Sequence, residues 1–214
     1  MVIGLLAVTA IPTVTGVSLG VVEQRKQNTR MEDEKRMAKF HIDVFCEGNS
    51  EKAMRLNRRR GVLRDNKVYI DHADPSLRKQ TAHTAAAFYI GYPDDNQKRG
   101  DGLVSTISDN PPMLNWIYVD KNTMELKYGN RTQSIEHIVG HWDWTEDEAG
   151  VILDKKELWV AVEEEDDVWA LYYDQNSDGL TGFVDPEKTV VEISICRNLI
   201  DKPEGGNNSD QNQT

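Results

Sequence analysis

From His41 onward the chain runs in short stretches of alternating apolar and polar residues, each closed by a turn signal. A period of two places successive side chains on opposite faces of a strand, so this pattern points to antiparallel sheet. His41-Ile42-Asp43-Val44-Phe45-Cys46 alternates, and Gly61 to Ile70 reads as two strands joined by a tight Asp65-Asn66 turn. Ala86 to Tyr92 and Leu103 to Ile107 are further strands, and Asn110-Pro111-Pro112 is a firm break. Leu114 to Val119 and Met124 to Tyr128, joined at Asp120-Lys121-Asn122, form the clearest hairpin. Leu158 to Val162 and Val168 to Tyr173 form another around an acidic tip, Glu163 to Asp167, and Val190 to Ile195 reads as a closing strand. The expectation over residues 41–200 is a mainly β domain, an antiparallel sandwich or barrel of about nine to ten short strands. No internal repeat is evident in the sequence.

The other end of the chain has a different character. Met1 to Val22 carries no charged side chain, and its length meets the roughly 20 residues a helix needs to cross hydrocarbon. Val21 to Phe40 has no Gly or Pro and is rich in helix formers, which predicts a charged helical stalk over residues 23–40. Three readings of residues 1–22 stay open: a membrane helix, a cleaved secretory signal, and an interfacial or buried helix. Arg25 and Lys26 follow the run, so a spanning helix would leave the domain in the cytosol. Pro12 would kink the helix or start it at Thr13, leaving too little apolar length to span. Gly16 and Gly20 form a GxxxG, a spacing that lets two membrane helices self-associate. A basic cluster that includes Arg58, Arg59 and Arg60 is a candidate contact for anionic headgroups, together with Arg25 and Lys26. Residues 201–214, with Pro203, Gly205, Gly206 and a run of Asn, Ser and Gln, are expected to be a disordered tail.

A net charge of −11 opposes general nucleic-acid binding, which relies on positive charge. Cys46 and Cys196 lie far apart in the chain and show no zinc spacing, which leaves buried reduced thiols as the simplest reading. Asp174, Asn176, Asp178 and Asp185 fall at positions 1, 3, 5 and 12 of a calcium loop with Gly179 at position 6. The preceding strand and the Asp at position 12 depart from the EF-hand pattern, and an acidic turn is the alternative. His137, His141 and Asp143 stand at even spacing, which on one strand would direct all three to one face as part of a metal site. Trp142 and Trp144 would share a face and could line a ligand groove, although tryptophan near strands is usually core. No G-x-S-x-G elbow, phosphate-binding loop or dinucleotide fingerprint is present.

Three strings carry a resemblance: Ile3-Gly4-Leu5-Leu6-Ala7 through Val17, Gly102 to Asp120, and Trp142-Asp143-Trp144-Thr145. On these the chain resembles a group of proteins of filamentous ascomycete fungi with no known activity. The resemblance implies a fungal source and supplies no catalytic residue. The leading expectation is a non-enzymatic interaction module, an acidic β-domain held at a cytosolic membrane face by residues 1–22. The alternatives are a secreted protein that binds carbohydrate or a host or cell-wall ligand, with calcium as a candidate cofactor, and a hydrolase or metalloenzyme using His137, His141 and Asp143.

Overall fold

The computed structural model describes residues 12–200 apart from 49, 79 and 95, and only the backbone of residues 12–22 and 109. Residues 1–11, the first half of the uncharged run, and the expected tail over 201–214 lie outside the described residues. The chain divides into two units, at Met37 and Ala38.

The described residues of the first unit form one helix, α1 (Pro12–Met37). The helix crosses residues 22 and 23 without a break, joining the end of the uncharged run to the charged stalk. Lys35 and Arg36 occupy its last turn, where the helix dipole favours cations. Among the described residues no helix is long and apolar enough to cross a membrane.

The described residues of the second unit form thirteen strands, more than the nine or ten expected, because several are too short to stand out in the sequence. β1 (Phe40–Phe45) leads through a short helix, α2 (Glu51–Leu56), into the hairpin of β2 (Arg59–Arg64) and β3 (Lys67–Asp71). β4 (His83–Thr84) and β5 (Ala86–Gly91) follow. β6 (Asp101–Asp109), the hairpin of β7 (Pro112–Val119) and β8 (Leu126–Gly129), the single turn α3 (Arg131–Ser134) and β9 (Trp142–Trp144) make a second group. β10 (Val151–Leu153), the hairpin of β11 (Trp159–Glu165) and β12 (Val168–Tyr173), and β13 (Val190–Leu199) make a third.

Each group repeats one plan: a strand, a hairpin and a returning strand. Val62 of the first hairpin faces Thr84, Val119 of the second faces Ile138, and Val162 of the third faces Val190. The six outer strands close a barrel. β13 pairs with β1, β1 with β5, β5 with β6, and β9 with β10. β6 packs on β9, and Gly150 beside β10 bridges to Cys196 of β13. The three hairpins meet one another as a cap, with β3 paired to both β12 and β8 and Glu125 bridged to Tyr172. This threefold plan has no counterpart in sequence identity, since it requires only strand period and turns at matching places.

The alternating inward residues fill the barrel. Phe40, Ile42, Val44, Ala87, Tyr89, Leu103, Leu153 and Ile195 are buried. Trp142 stacks on Trp159 at 5.4 Å, and Trp159 meets Tyr173 at 4.9 Å. The Trp159 indole N–H donates to the Val151 carbonyl at 2.6 Å, tying the third hairpin to the barrel. Asp65 and Asn66 both have positive φ, the conformation that a two-residue hairpin turn between twisted strands demands. Cys46 packs against the core, whereas Cys196 follows the inward Ile195 and so points the other way; both are free thiols. Burial pushes both thiols up in pKa, the opposite of what an activated nucleophile needs.

Candidate functional site

The residues picked out in the sequence are not brought together as expected. His137 is not on a strand; it follows α3, stacks on Tyr118 and lies 3.3 Å from Asp120, a carboxylate already bound to Lys127. His141 is exposed, and its backbone N–H reaches Asp154. Asp143 turns its carboxylate back to the N–H of Trp144. The one-face arrangement fails because only residues 142–144 are strand, and among the described residues no group of three or more His, Cys, Asp or Glu could hold a metal. Trp142 is buried in the barrel. Trp144 is half-buried at the side of Arg197, whose guanidinium lies 4.4 Å from its ring, 5.1 Å from Phe40 and 5.5 Å from Tyr89. Neither indole is among the residues that line the groove along β13 described below.

The basic cluster is largely neutralised within the fold. Arg60 makes a paired contact with Asp43 at 2.7 and 3.1 Å, and Arg59 reaches Asp71 and the Arg55 carbonyl. Arg58 is exposed in the turn that enters β2. Burial alone would raise the Asp43 pKa, but hydrogen bonds from Arg60 and Asn198 and the Arg60 charge outweigh it and hold the carboxyl below its ordinary value. Arg25 and Lys26 are exposed on α1, while Gly16 and Gly20 fall in its backbone-only part.

In the loop of Asp174, Asn176, Asp178 and Asp185 the carboxylates bind the loop's own backbone. Asp174 accepts from the N–H groups of Asp178 at 3.2 Å and Gly179 at 2.9 Å, Asp178 from Thr181, and Asp185 from Glu187. These are the local contacts by which Asp stabilises turns. Asn176 is exposed.

One feature with room for a ligand lies along β13, which changes partner midway. Residues 194–199 pair with β1, and residues 190–193 pair with β11. β1 ends at Phe45, opposite Ser194, and the chain then leaves through Glu47 and Gly48. The Ser50 side chain accepts from the Ala53 N–H and starts α2, and the chain rejoins the sheet where the Arg58 N–H donates to the Val44 carbonyl. The corresponding strand of the second group, β6, does not stop. It continues through a bulge between Thr106 and Ser108 to Asp109 and packs on β4. Where β1 would have continued, a groove of about 770 Å³ opens.

Its walls are Glu47, Gly48, Ser50 and Ala53 on one side and Asp174, Ser177 and Gly179 on the other, and its floor is Glu157 to Val160 and Val190 to Ser194. Leu158, Val190 and Val191 are half-buried, while Glu47, Glu157 and Glu192 are exposed at the rim. Among the described residues no Lys, Arg or His lines it, and the one aromatic ring that does, Trp159, is 1% exposed. Sequence reading missed this site. The available signal was the break after Cys46, where Glu47-Gly48-Asn49-Ser50 interrupts a strand.

A second charged cluster sits where the hairpins meet. Lys67 lies 2.7 Å from Glu125 and 2.6 Å from Glu164, residues of the other two hairpins. Lys127 joins Glu125 to Asp120. Burial alone would lower the Lys67 pKa, but its two carboxylate partners outweigh it and raise it. The cluster is internally satisfied and reads as a cap clasp.

A family model described as a fungal β-trefoil domain matches residues 16–201, which takes in most of α1 and the whole barrel and cap. No match to the chain was found among curated proteins or among solved structures.

Proposed function

This chain belongs to the fungal β-trefoil domain family, and from that premise we propose that it is a non-enzymatic binding module whose ligand is a protein segment carrying basic and apolar side chains. Domains of this fold often bind carbohydrate or protein. The observation that carries the choice is the groove itself: an apolar floor of Leu158, Val190 and Val191, a rim of Glu47, Glu157 and Glu192, and no lining cation among the described residues. An apolar floor contributes affinity through water release, and an uncompensated acidic rim selects a partner of opposite charge. A carbohydrate site would be expected to offer an open ring to the sugar face, and Trp159 is covered.

The test is a titration of the full chain, labelled with ¹⁵N, with a lysine- and valine-rich peptide. Amide shifts centred on residues 47–53, 157–160 and 190–194 are the expected outcome. Shifts confined to the β6–β7 tip or the Glu163–Asp167 tip, or none, would remove the groove from consideration.

Delivery of the module to a membrane is the second part of the proposal. It is supported by the uncharged run Met1–Val22 and by the exposed Arg25 and Lys26 on α1. A C-terminally tagged chain that resists alkaline carbonate extraction at full length would agree. Appearance in the medium, shortened at its N-terminus, would replace it with secretion.

A further inference from the structure

We infer that the groove takes its ligand by strand addition: an extended segment lies antiparallel to Val190–Ile193 of β13, in the place left empty where β1 stops. The inference rests on the groove being the ligand site and adds how the ligand is held. Among the described residues, β13 over 190–193 has its ladder partner on one side only, β11. Its other edge faces the groove. An open strand edge presents alternate N–H and C=O groups at the spacing of a sheet, a template for a further strand.

The threefold plan of the domain shows what belongs there. In the first group β4 and β5 are flanked by β6, which continues far enough to pack on β4 as well. At the third group the flanking strand is β1, and its continuation is diverted through Glu47 and Gly48 into α2. The missing continuation is about four residues long, the length of Val190–Ile193. Natural open edges are commonly guarded by charge, and here the guard is Glu192 alone, which is acidic like the rim. A cationic strand converts that guard into an attraction. Val191 and Glu192 lie on opposite faces of β13, so alternation directs the apolar side chains of the added strand to the Val191 face and its basic ones to the Glu192 face.

The experiment uses the full chain and a fluorescein-labelled peptide of alternating Lys and Val, read by anisotropy. Two further peptides carry N-methyl groups on the odd or on the even residues. Successive amides of a strand point to opposite sides, so methylation of one set removes the bonds to β13 and methylation of the other leaves them. The expected result is a loss of at least about tenfold in affinity for one methylated peptide and little change for the other. The exposed-site variant Glu157→Lys/Glu192→Lys should weaken the parent peptide by about tenfold without changing the melting temperature. If both methylated peptides bind like the parent, strand addition is wrong and simple docking in the groove stands. If the parent does not bind, or binds the charge-reversed variant equally well, the groove reading fails and this inference with it.

Discussion

Replacing Lys67 by methionine tests whether the three hairpins are clasped electrostatically at the cap. The ammonium sits between Glu125 and Glu164 at 2.7 and 2.6 Å, with all three side chains 16% exposed. The Tyr172 hydroxyl, with a single proton, lies 2.8 Å from Glu164 and 3.2 Å from Glu125. Burial and those carboxylates together push the Tyr172 pKa far above its ordinary value, so it stays a donor. Methionine keeps most of the aliphatic stem and removes the cation, leaving two carboxylates facing one hydroxyl. Breaking a buried pair by removing one partner costs about 3–5 kcal/mol. Lys127 still neutralises Glu125 at 3.0 Å, which favours the lower end, about 3 kcal/mol at pH 7.

The pH dependence separates this from lost packing. Burial alone would raise the Glu125 pKa, but hydrogen bonds from Lys67 and Lys127 outweigh it and the folded value is lowered. A lowered carboxyl contributes stability that is full above the unfolded value of about 4.3 and is lost as pH falls through the folded value. In the variant that contribution is reduced and acid relieves the repulsion, so the difference from wild type should shrink to about 1 kcal/mol near pH 4. Equilibrium urea unfolding, followed by the buried Trp159 and Trp169, measures both values with an unchanged slope. A cost below about 1 kcal/mol at pH 7, or one that is the same at both pH values, would refute the clasp.

Trp159→Ala should cost about 4 kcal/mol in the same assay, because it empties a site 1% exposed and strips the Val151 carbonyl of its donor. A cost under about 2 kcal/mol would mean the Trp142–Trp159–Tyr173 stack is not central to the core. Gly140→Ala should destabilise by at least about 2 kcal/mol, since its Cβ would fall 2.0 Å from the Arg99 carbonyl oxygen; a silent substitution would show that backbone contact to be wrong. Calcium at about 1 mM is expected to move the melting temperature by less than about 1 °C, because Asp174 and Asp178 already bind loop N–H groups. A rise of about 5 °C, abolished by Asp178→Asn, would restore the loop as a cation site.

What could be read locally was read correctly. The hairpins of Gly61 to Ile70, Leu114 to Tyr128 and Leu158 to Tyr173 are present as β2–β3, β7–β8 and β11–β12, because turn chemistry and period-two patterning act over a few residues. The carboxylates of Asp174 and Asp178 bind N–H groups of their own loop, contacts that are equally local. Strands such as His83–Thr84 and Trp142–Trp144 are too short for a period to declare itself, and they form because neighbouring strands supply their partners. The spacing that put His137, His141 and Asp143 on one face assumed a strand that tertiary contacts did not build.

The sequence by itself determined an acidic, mainly β chain with strands and turns at defined places, since these follow from side-chain period and backbone preference. Tertiary structure alone decided which strands meet. Lys67 finds Glu164 97 positions away, Arg60 is neutralised by Asp43, Trp142 is sealed against Trp159, and β1 stops short beside β13. These pairings arise when the barrel closes and three hairpins converge. The groove follows from that closure: it is the space left where α2 replaces the end of a strand, and the contacts that create it are long in sequence and short only in the fold.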